Sequence, residues 1–538
     1  MHWDIADVND PLYYWKNFAL VKSWVQEHHS ELMNSALQSM INQYDLLSPD
    51  AQRLWLRLYS RKGEFFRIDR LNYPEIDVPL AISELTRQGW IQPADKSSQP
   101  HWLALLTKAE LLALQPGALK ALSKQQLLEQ LSSTRVTSDI EIVQLLKNSQ
   151  FNQLALLFFG NSRQQLSEFV VTALGHIQYE SYLARPKTLF SGKDEMALFL
   201  QIEHWQTEYA DLNTPQERID WIRRWQQDTV LASFPERLTG KLSRFLNRLA
   251  RDCERQHAVF LAHVLYRKSQ RPPARERQAR MYFKDRPLQA RRLLFQMYQD
   301  PADETEFEVA RQLLGRWFKC DFSQQSQTIA SQSLTLGYTV RQVEKAVLAY
   351  YKSLGWHGSH SENIIPQTLF GLLFWDIIFY DIEGAFIHPF QRGPRDLRSP
   401  AFYQRRKALF QQRISMIRQQ PGAAIALAAR HAEQKKDIAN PFVAWKINPV
   451  DEALTWFRQL PATLWADLFD RMAFDTKNNG SGFPDLWLYH PDQQQVQLIE
   501  VKGPGDTLRT NQSRWLQFFQ TAEVPVTLLN VKPAVAES

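Results

Sequence analysis

The feature of this sequence that most constrains its fold is a pair of short apolar runs close to the C-terminus. The first run, residues 482–488, has the sequence GFPDLWL, and the second, residues 496–502, has the sequence VQLIEVK. A polar stretch, residues 490–495, separates them. Short β-rich runs joined by a turn are typical of two adjacent strands. The pattern therefore predicts a β-hairpin.

Pairing of these strands would bring three charged side chains together, those of Asp485, Glu500 and Lys502. Glu500 and Lys502 are two residues apart and project from the same face of a strand, whereas Val501 points the other way and offers only its backbone carbonyl. Carboxylate and carbonyl oxygens suit Mg²⁺ or Mn²⁺, which can polarise a phosphodiester and help to ionise an attacking water. Lys502 would orient that water or stabilise charge on the phosphate. We therefore predict a metal-dependent nuclease site.

The alternative is an exposed hairpin with ordinary surface charges. Against it stands the combination of Pro-Asp, a gap of hairpin length and Glu-Val-Lys-Gly-Pro-Gly-Asp. This is followed by Leu508, Gln512 and Trp515 at helical spacing. A lone Glu-x-Lys would not distinguish the two interpretations, but the whole combination favours the nuclease site.

The chain has 538 residues, too many for one ordinary core, so we expect two to four domains. Its net charge of +6 is a weak argument for nucleic-acid binding, and local clusters carry more weight. One cluster comprises Arg271, Arg275, Arg277, Arg280, Lys284, Arg286, Arg291 and Arg292, and another comprises Arg392, Arg395, Arg398, Arg405, Arg406 and Lys407. Each is interpretable as a phosphate-binding track or as a solvated helix face with salt bridges.

Two cysteines, Cys253 and Cys320, are too few for a disulfide framework or a cysteine zinc site. The N-terminus lacks the basic and then apolar order of a signal peptide. The longest apolar run, residues 369–380, is interrupted by Asp376 and is too short to span a membrane. We therefore expect a cytoplasmic protein without a membrane segment.

The first 150 residues of the chain divide into two predicted regions. Residues 1–92 have helical apolar spacing interrupted by the basic turn Arg61-Lys62-Gly63, a pattern typical of a winged-helix DNA-binding unit or of a plain helical scaffold. Residues 101–150 place Thr107 and Ser123 before leucine-rich helices that their hydroxyls can cap. This helix pair resembles a SAP module, which binds the DNA backbone, and an ordinary helical hairpin is the alternative.

The rest of the chain also divides into two predicted regions. Residues 151–355 contain a succession of amphipathic helices without a clean repeat signature, which favours an α-solenoid of tetratricopeptide type. Residues 356–538 form the predicted nuclease domain, in which the apolar run 368–379 is expected to be a buried helix. The predicted fold class is a mainly α multidomain protein with a C-terminal α/β nuclease domain.

The motifs of residues 482–515 resemble the PD-(D/E)xK nuclease superfamily, and specifically its virus-type replication-repair nuclease (VRR-Nuc) module. Most of the chain resembles the Fanconi-anaemia-associated nuclease family in its bacterial form. The segments that carry this resemblance are Ala51-Gln52-Arg53-Leu54 with Arg61-Lys62-Gly63, Gly371-Leu372-Leu373 with Trp375 to Phe379, and the terminal nuclease motif.

The resemblance implies specific site residues. A glutamate shortly before the Gly-Leu-Leu helix is a metal ligand in the family, and Glu362 occupies that position. With it, the implied metal ligands are Asp485, Glu500 and the Val501 carbonyl, while Lys502 matches the catalytic lysine and Gln512 a supporting glutamine. The family also has a basic pocket for a DNA 5′ phosphate, which we would place at Arg271, Arg275, Arg277 and Arg280.

The resemblance also implies an activity. Family members cut branched DNA near a 5′ flap and trim DNA in the 5′-to-3′ direction, in support of interstrand crosslink repair. We therefore expect an Mn²⁺- or Mg²⁺-dependent phosphodiesterase whose partner is flapped and branched DNA, associated with the bacterial nucleoid during repair. Two alternatives remain open: a catalytically silent DNA-binding scaffold and a Holliday-junction resolvase that shares only the terminal module.

Overall fold

A computed structural model of the chain describes residues 10–61, 63–94, 99–114, 122–132, 140–146, 149–160, 178–181, 189–228, 234–322, 329–337, 342–447 and 449–534. Lys62 of the predicted basic turn lies outside the described residues. The chain divides into two compact units, one formed by Met1–Gln178 with Ala184–Lys193 and the other by Tyr179–Leu183 with Asp194–Ser538. Within the described ranges, no helix is long and apolar enough to cross a membrane.

The first unit combines helices with a small antiparallel sheet. Its helices are α1 (Tyr13–His28), α2 (Ser35–Asp45), α3 (Pro49–Tyr59), α4 (Val78–Arg87), α5 (Gln99–Leu103), α6 (Lys108–Leu114), α7 (Lys124–Ser132) and α8 (Ser149–Phe159). Its sheet has the strand order β1–β3–β2, formed by β1 (Phe65–Arg67), β2 (Ile91–Pro93) and β3 (Ile142–Leu145). The sheet thus joins residues from both regions predicted for the first 150 residues.

Local sequence determines where the helices of this unit begin. The side chains of Ser48 and Asp77 accept backbone N–H groups at the starts of α3 and α4, and a proline stands in the first turn of each helix. Thr107 and Ser123 accept the N–H groups of Glu110 and Gln126 at the starts of α6 and α7. The predicted caps of the leucine-rich helix pair are therefore confirmed.

The second unit begins with a succession of helices in which chain neighbours pack against each other. These are α9 (Lys193–Asp211), α10 (Pro215–Asp228), α11 (Glu236–Arg255), α12 (Val259–Lys268), α13 (Ala274–Asp285), α14 (Pro287–Gln299) and α15 (Glu304–Phe318). Small and large apolar side chains alternate in the core of the last three, where Ala279, Leu294 and Leu314 are fully buried. This is the arrangement expected of stacked helical hairpins.

The rest of the second unit is built on a mixed sheet with the order β4–β8–β7–β6–β5. Its strands are β4 (Ser331–Leu336), β5 (His357–His360), β6 (Leu486–His490), β7 (Gln495–Lys502) and β8 (Val526–Pro533). β4 and β7 pair parallel to β8, whereas β6 pairs antiparallel to both β7 and β5. β6 and β7 are the hairpin that the sequence predicts.

The helices around this sheet enclose both of its faces. They are α16 (Val343–Ser353), α17 (Ile364–Leu373), α18 (Trp375–Ile378), α19 (Pro400–Gln404), α20 (Lys407–Gln419), α21 (Pro421–Gln434), α22 (Val450–Gln459), α23 (Ala462–Phe474), α24 (Thr476–Asn479) and α25 (Thr510–Thr521). One face of the hairpin packs against α16 through Ile499 and Val501, and the other joins the large core through Trp487 and Leu498. The mainly α architecture with this C-terminal α/β sheet confirms the predicted fold class.

Two details differ from the predictions made from sequence. The apolar run 368–379 is divided between α17 and α18, because Phe374 adopts φ −114° and ψ 20° and interrupts the helix. The sheet also includes β4, which precedes the predicted domain boundary at residues 355 and 356. A mostly polar sequence does not predict a strand of this sheet. β4 can be polar because it lies at the sheet edge, where it pairs with β8 alone within the described residues. The division into four domains stays a prediction.

Candidate active site

The pairing of β6 and β7 brings the predicted charged residues together. Leu486 on β6 lies opposite Ile499 on β7. Asp485, the residue just before β6, therefore lies beside Glu500 and Val501 near the end of β7. The Asp485 carboxylate accepts a hydrogen bond from the Val501 N–H, with a distance of 2.8 Å between Oδ2 and N. The Val501 side chain packs into the opposite face of the sheet, as the strand alternation predicts.

The Glu500 carboxylate is completely buried yet only half satisfied. Its Oε1 accepts hydrogen bonds from Lys502 Nζ at 2.7 Å and from Gln512 Nε2 at 2.5 Å. Gln512 lies on α25, and its Oε1 accepts a second bond from Lys502 Nζ at 3.2 Å. Glu500 Oε2, by contrast, has no hydrogen-bond partner among the described residues. A buried carboxylate oxygen without a partner is costly, so its presence points to a ligand.

Burial perturbs the ionisation of both carboxylates. Burial raises the pKa of Asp485 to about 6, against the opposing effects of the Val501 N–H and the Lys502 ammonium. Burial and the neighbouring Asp485 charge raise the pKa of Glu500 to about 7. Two carboxyl groups that resist simultaneous ionisation are typical of a site completed by a cation.

Glu362 reaches the same edge of the sheet from β5. The chain leaves this strand at His360, and the N–H groups of Ser361 and Glu362 both donate to the Asp485 backbone carbonyl at 3.1 Å. Glu362 has a positive φ of 38°, which is uncommon for a residue other than glycine. Its carboxylate is exposed, and its charge contributes to the raised pKa of Glu500.

These groups have the chemistry of a hard-cation site, although the side chains do not form a closed cage. Among the described residues, no three His, Cys, Asp or Glu side chains are arranged as a complete set of metal ligands. The partnerless Glu500 Oε2 and the adjacent Asp485 carboxylate nevertheless supply the oxygen ligands that Mg²⁺ or Mn²⁺ prefers. The donor set therefore fits such an ion, with water or substrate oxygens completing its coordination.

The basic segment of α13 is arranged differently from the sequence-based expectation. Arg275 forms a two-bond ion pair with the buried Glu306, Arg277 forms one with Glu254, and Arg280 pairs with Glu276. The partners of Arg275 and Arg277 come from other helices and are not visible in the local sequence. Three of the four arginines predicted to bind a phosphate are therefore already paired with carboxylates.

Arg271 is the exception in this set. Its guanidinium lies against Gly240 and forms no ion pair within the described parts of the chain. Burial and the nearby Arg244 charge lower the pKa of Arg271. Two neighbouring cations favour an anion between or beside them, so Arg271 is the predicted arginine with most capacity to bind a phosphate.

Two further residues around the carboxylates, Asn363 and Glu344, were not identified from the sequence. Asn363 bonds the Glu362 carboxylate, while the charges of Glu344 and His360 act on the pKa of Asp485 in opposite directions. Adjacency to Glu362 is the only sequence signal for Asn363. Glu344 lies on α16, far along the chain from β6, and no local pattern connects the two.

Family comparisons cover the segment that contains the site. A VRR-NUC domain model matches residues 419–533, which include β6 and β7, and a FAN1 helix-turn-helix domain model matches residues 12–92. Nucleases with the VRR-NUC domain are in general metal-dependent. The fold and the site thus define the class of this protein, a DNA-hydrolysing nuclease with a VRR-NUC domain.

Similarity to relatives extends over almost the whole chain. A Fanconi-associated nuclease 1 homolog of Pseudomonas aeruginosa is 31% identical over 97% of this chain and 96% of its own length. Human Fanconi-associated nuclease 1 is 24% identical over 98% of this chain and 63% of its own. A solved structure of paFAN1 bound to DNA with a 2-nucleotide 5′ flap and a gap matches with a TM-score of 0.76 and 30% identity, covering 98% of this chain and 100% of that chain. The chain belongs to the Fanconi-associated nuclease family.

Proposed function

We propose that this protein is a structure-specific nuclease that cuts DNA near a 5′ flap and trims DNA in the 5′-to-3′ direction. The related paFAN1, similar over nearly its whole length, has been solved with 5′-flap DNA, which supports this choice of substrate. The observation that carries the reaction type is the buried Glu500 carboxylate with one unpaired oxygen beside Asp485 and Lys502. The proposed physiological role of the protein is interstrand crosslink repair at the nucleoid.

The proposed cofactor is Mn²⁺ or Mg²⁺, held by the carboxylates of Glu362, Asp485 and Glu500 and by the Val501 carbonyl. When bound, such an ion polarises the phosphodiester and lowers the pKa of an attacking water. The raised pKa values of Asp485 and Glu500 support this proposal, because a cation would favour the ionised form of both groups.

Lys502 is the proposed catalytic cation. Its ammonium is held by Glu500 Oε1 and Gln512 Oε1, which accept two of its three N–H donors. The third donor remains to orient the attacking water or to bind the scissile phosphate oxygen, where it would stabilise the developing negative charge. Gln512 supports both groups, because it donates to the Glu500 carboxylate and accepts from the Lys502 ammonium.

The four arginines at positions 271, 275, 277 and 280 remain the proposed anchor for a DNA 5′ phosphate. Arg271 is the strongest member, since its guanidinium has no carboxylate partner among the described residues and lies near Arg244. Arg275, Arg277 and Arg280 would have to exchange a carboxylate for a phosphate. We therefore expect Arg271 to contribute most to flap binding.

A cleavage assay with defined substrates tests the proposal. The flapped strand is labelled, Mn²⁺ or Mg²⁺ is added, and the wild type is compared with Asp485→Ala and Lys502→Ala. Lys532→Ala serves as the control, because Lys532 is an exposed lysine on the neighbouring strand β8. We expect the wild type and the control to cut near the flap junction, whereas the two site variants do not.

Three other outcomes would contradict parts of the proposal. Equal or faster cutting of a Holliday junction would favour a resolvase. Flap binding by a folded wild type that never cuts, with either metal, would favour a DNA-binding scaffold. Cutting that persists in both Asp485→Ala and Lys502→Ala would place the catalytic site elsewhere in the chain.

A further inference from the structure

Asn363 lies where an asparagine ordinarily caps a helix. It directly precedes α17, and asparagine at this position commonly accepts an N–H group from the first turn of its helix. The Asn363 side chain makes no such bond. Its oxygen instead accepts the backbone N–H groups of Gly482 at 2.7 Å and Phe483 at 3.2 Å. The Asn363 side chain thus bonds the segment that leads into Asp485 and does not cap its own helix.

The other end of the same amide contacts Glu362. Asn363 Nδ2 donates to Glu362 Oε1 at 3.1 Å. The orientation of the amide follows from its partners, since two N–H donors require the oxygen on one side and a carboxylate requires the NH₂ group on the other. An aspartate would lose the donor, and a longer glutamine would not preserve the same short bridge. Asparagine is therefore well suited to join the two groups.

The backbone beside this amide is held in an uncommon conformation. Glu362 has a φ of 38°, and Gly482 has a φ of 95° with Asn511 packed closely against its α-carbon. Non-glycine residues occupy positive φ at a cost, which persists where surrounding contacts stabilise it. Here the contacts are the Glu362 N–H bond to the Asp485 carbonyl and the amide of Asn363.

We propose that Asn363 is a positioning residue that holds the Glu362 carboxylate at a fixed place relative to Asp485. The inference rests on the proposed metal-dependent nuclease site. The Glu362 side chain is exposed and lies on a turn. Without the Asn363 amide it would be free to move away from the other carboxylates. Loss of an outer hydrogen bond to a metal ligand ordinarily weakens metal affinity about 10- to 100-fold. Asn363 would accordingly determine how well Glu362 serves as a ligand.

Gln367 offers a matched control. Its Nε2 donates to the Gly480 carbonyl at 2.7 Å, so it holds the same segment of chain by one amide hydrogen bond. No hydrogen bond joins the Gln367 side chain to Glu362 within the described residues. Gln367→Ala therefore removes support for the loop alone, whereas Asn363→Ala removes support for the loop and for Glu362.

The decisive measurement is Mn²⁺ binding to the full chain without DNA, by electron paramagnetic resonance of the free ion. Circular dichroism melting confirms that each variant is folded. We expect Asn363→Ala to raise the Mn²⁺ dissociation constant about tenfold. Gln367→Ala loses one loop hydrogen bond where Asn363→Ala loses two, so it should lower the unfolding temperature to a smaller degree while changing the dissociation constant less than about twofold. Flap cleavage by Asn363→Ala should recover in large part at saturating Mn²⁺, as expected for a defect in ligand position.

A double-mutant cycle tests whether Asn363 acts through Glu362. In the Glu362→Gln background, Asn363→Ala should change Mn²⁺ affinity little, because the ligand that it orients is already altered. Multiplicative effects of the two substitutions would overturn the inference, and so would equal effects of Asn363→Ala and Gln367→Ala. These failures leave wild-type Mn²⁺ binding and flap cleavage intact. A wild type that neither binds Mn²⁺ nor cuts the flap would overturn the proposed function together with the inference.

Discussion

The hairpin of β6 and β7 and the basic helix α13 both contain clustered charges, but their charges are satisfied to different degrees. In the hairpin, the Glu500 carboxylate is buried, one of its oxygens has no partner among the described residues, and its pKa is raised. On α13, Arg275 and Arg277 each form a two-bond ion pair with a glutamate from another helix. A cluster of charged residues in the sequence can therefore be a ligand-binding site with an unsatisfied charge, or a set of ion pairs that the protein completes by itself.

The difference has an energetic consequence. A buried, incompletely paired carboxylate destabilises the protein until a ligand binds, whereas removal of one partner from a completed buried pair leaves an uncompensated charge. Substitutions in the hairpin should therefore reduce activity without a comparable loss of stability. Substitutions of the paired arginines should, in contrast, cause a marked loss of stability.

The largest expected effect comes from Glu500→Gln. This change keeps the shape of the side chain but removes the charge that a metal would require. Cleavage should fall about 10³-fold, equivalent to about 4 kcal/mol. The metal-free variant should melt at a higher temperature than the wild type at pH 8, because burial of the charged Glu500 is unfavourable there. Cleavage rates and melting temperatures, measured on one preparation, test the expected loss of activity and the expected gain in stability. A variant that melts below the wild type would contradict the conclusion that the buried charge of Glu500 is unfavourable.

The hairpin also illustrates how far sequence reasoning extends. Strand alternation and turn spacing are local properties, so the pairing of β6 with β7 and the meeting of Asp485, Glu500 and Lys502 follow from the sequence. The glutamate partners of Arg275 and Arg277 lie on other helices, and only the packing of those helices brings them together. Local sequence thus predicts a charge cluster but cannot reveal whether distant residues already neutralise it.

Arg275→Ala should produce the largest loss of stability among the paired arginines. Glu306 is 3% exposed, and without Arg275 its charge would retain only hydrogen bonds such as that from the Ala302 N–H. We expect a loss of about 3 kcal/mol in the free energy of unfolding. Denaturant titration measures this loss, and a loss below about 1 kcal/mol would show that the pair is not effectively buried.

Arg271→Ala is the counterpart within the same segment. Because Arg271 has no carboxylate partner among the described residues, the substitution should cost much less stability than Arg275→Ala, and we expect the unfolding free energy to change by less than about 1 kcal/mol. Binding to a 5′-phosphorylated flap should weaken about tenfold, whereas binding to the same flap without the phosphate should change little. Fluorescence anisotropy with the two flaps distinguishes a phosphate contact from a general loss of positive charge.

Ionisation of the hairpin carboxylates should make metal-free stability depend on pH. Burial raises the pKa of Asp485 to about 6 and of Glu500 to about 7, above their values in the unfolded chain, so the folded protein binds protons more tightly. Their contribution to stability therefore falls by several kcal/mol as pH rises from about 4 to about 7. Glu500→Gln should show a smaller fall, and Mn²⁺ should raise the wild-type melting temperature more at pH 8 than at pH 5. A pH-independent difference between the wild type and Glu500→Gln would contradict the raised pKa of Glu500.

The smallest effect expected at the active site comes from Gln512→Ala. Gln512 completes the hydrogen bonding of Glu500 Oε1 and of the Lys502 ammonium, and it also accepts the Arg509 N–H at the start of α25. Its loss should reduce cleavage about tenfold, through a less firmly held Lys502, and reduce stability by about 1 kcal/mol through the lost helix cap. Gln517→Ala is the control, because its side chain on the same helix forms no hydrogen bond within the described residues. If both variants cut at the same rate, Glu500 and Lys502 hold their positions without Gln512. The Glu500 oxygen that has no partner among the described residues would then be the only feature of the site that is unfavourable without a ligand.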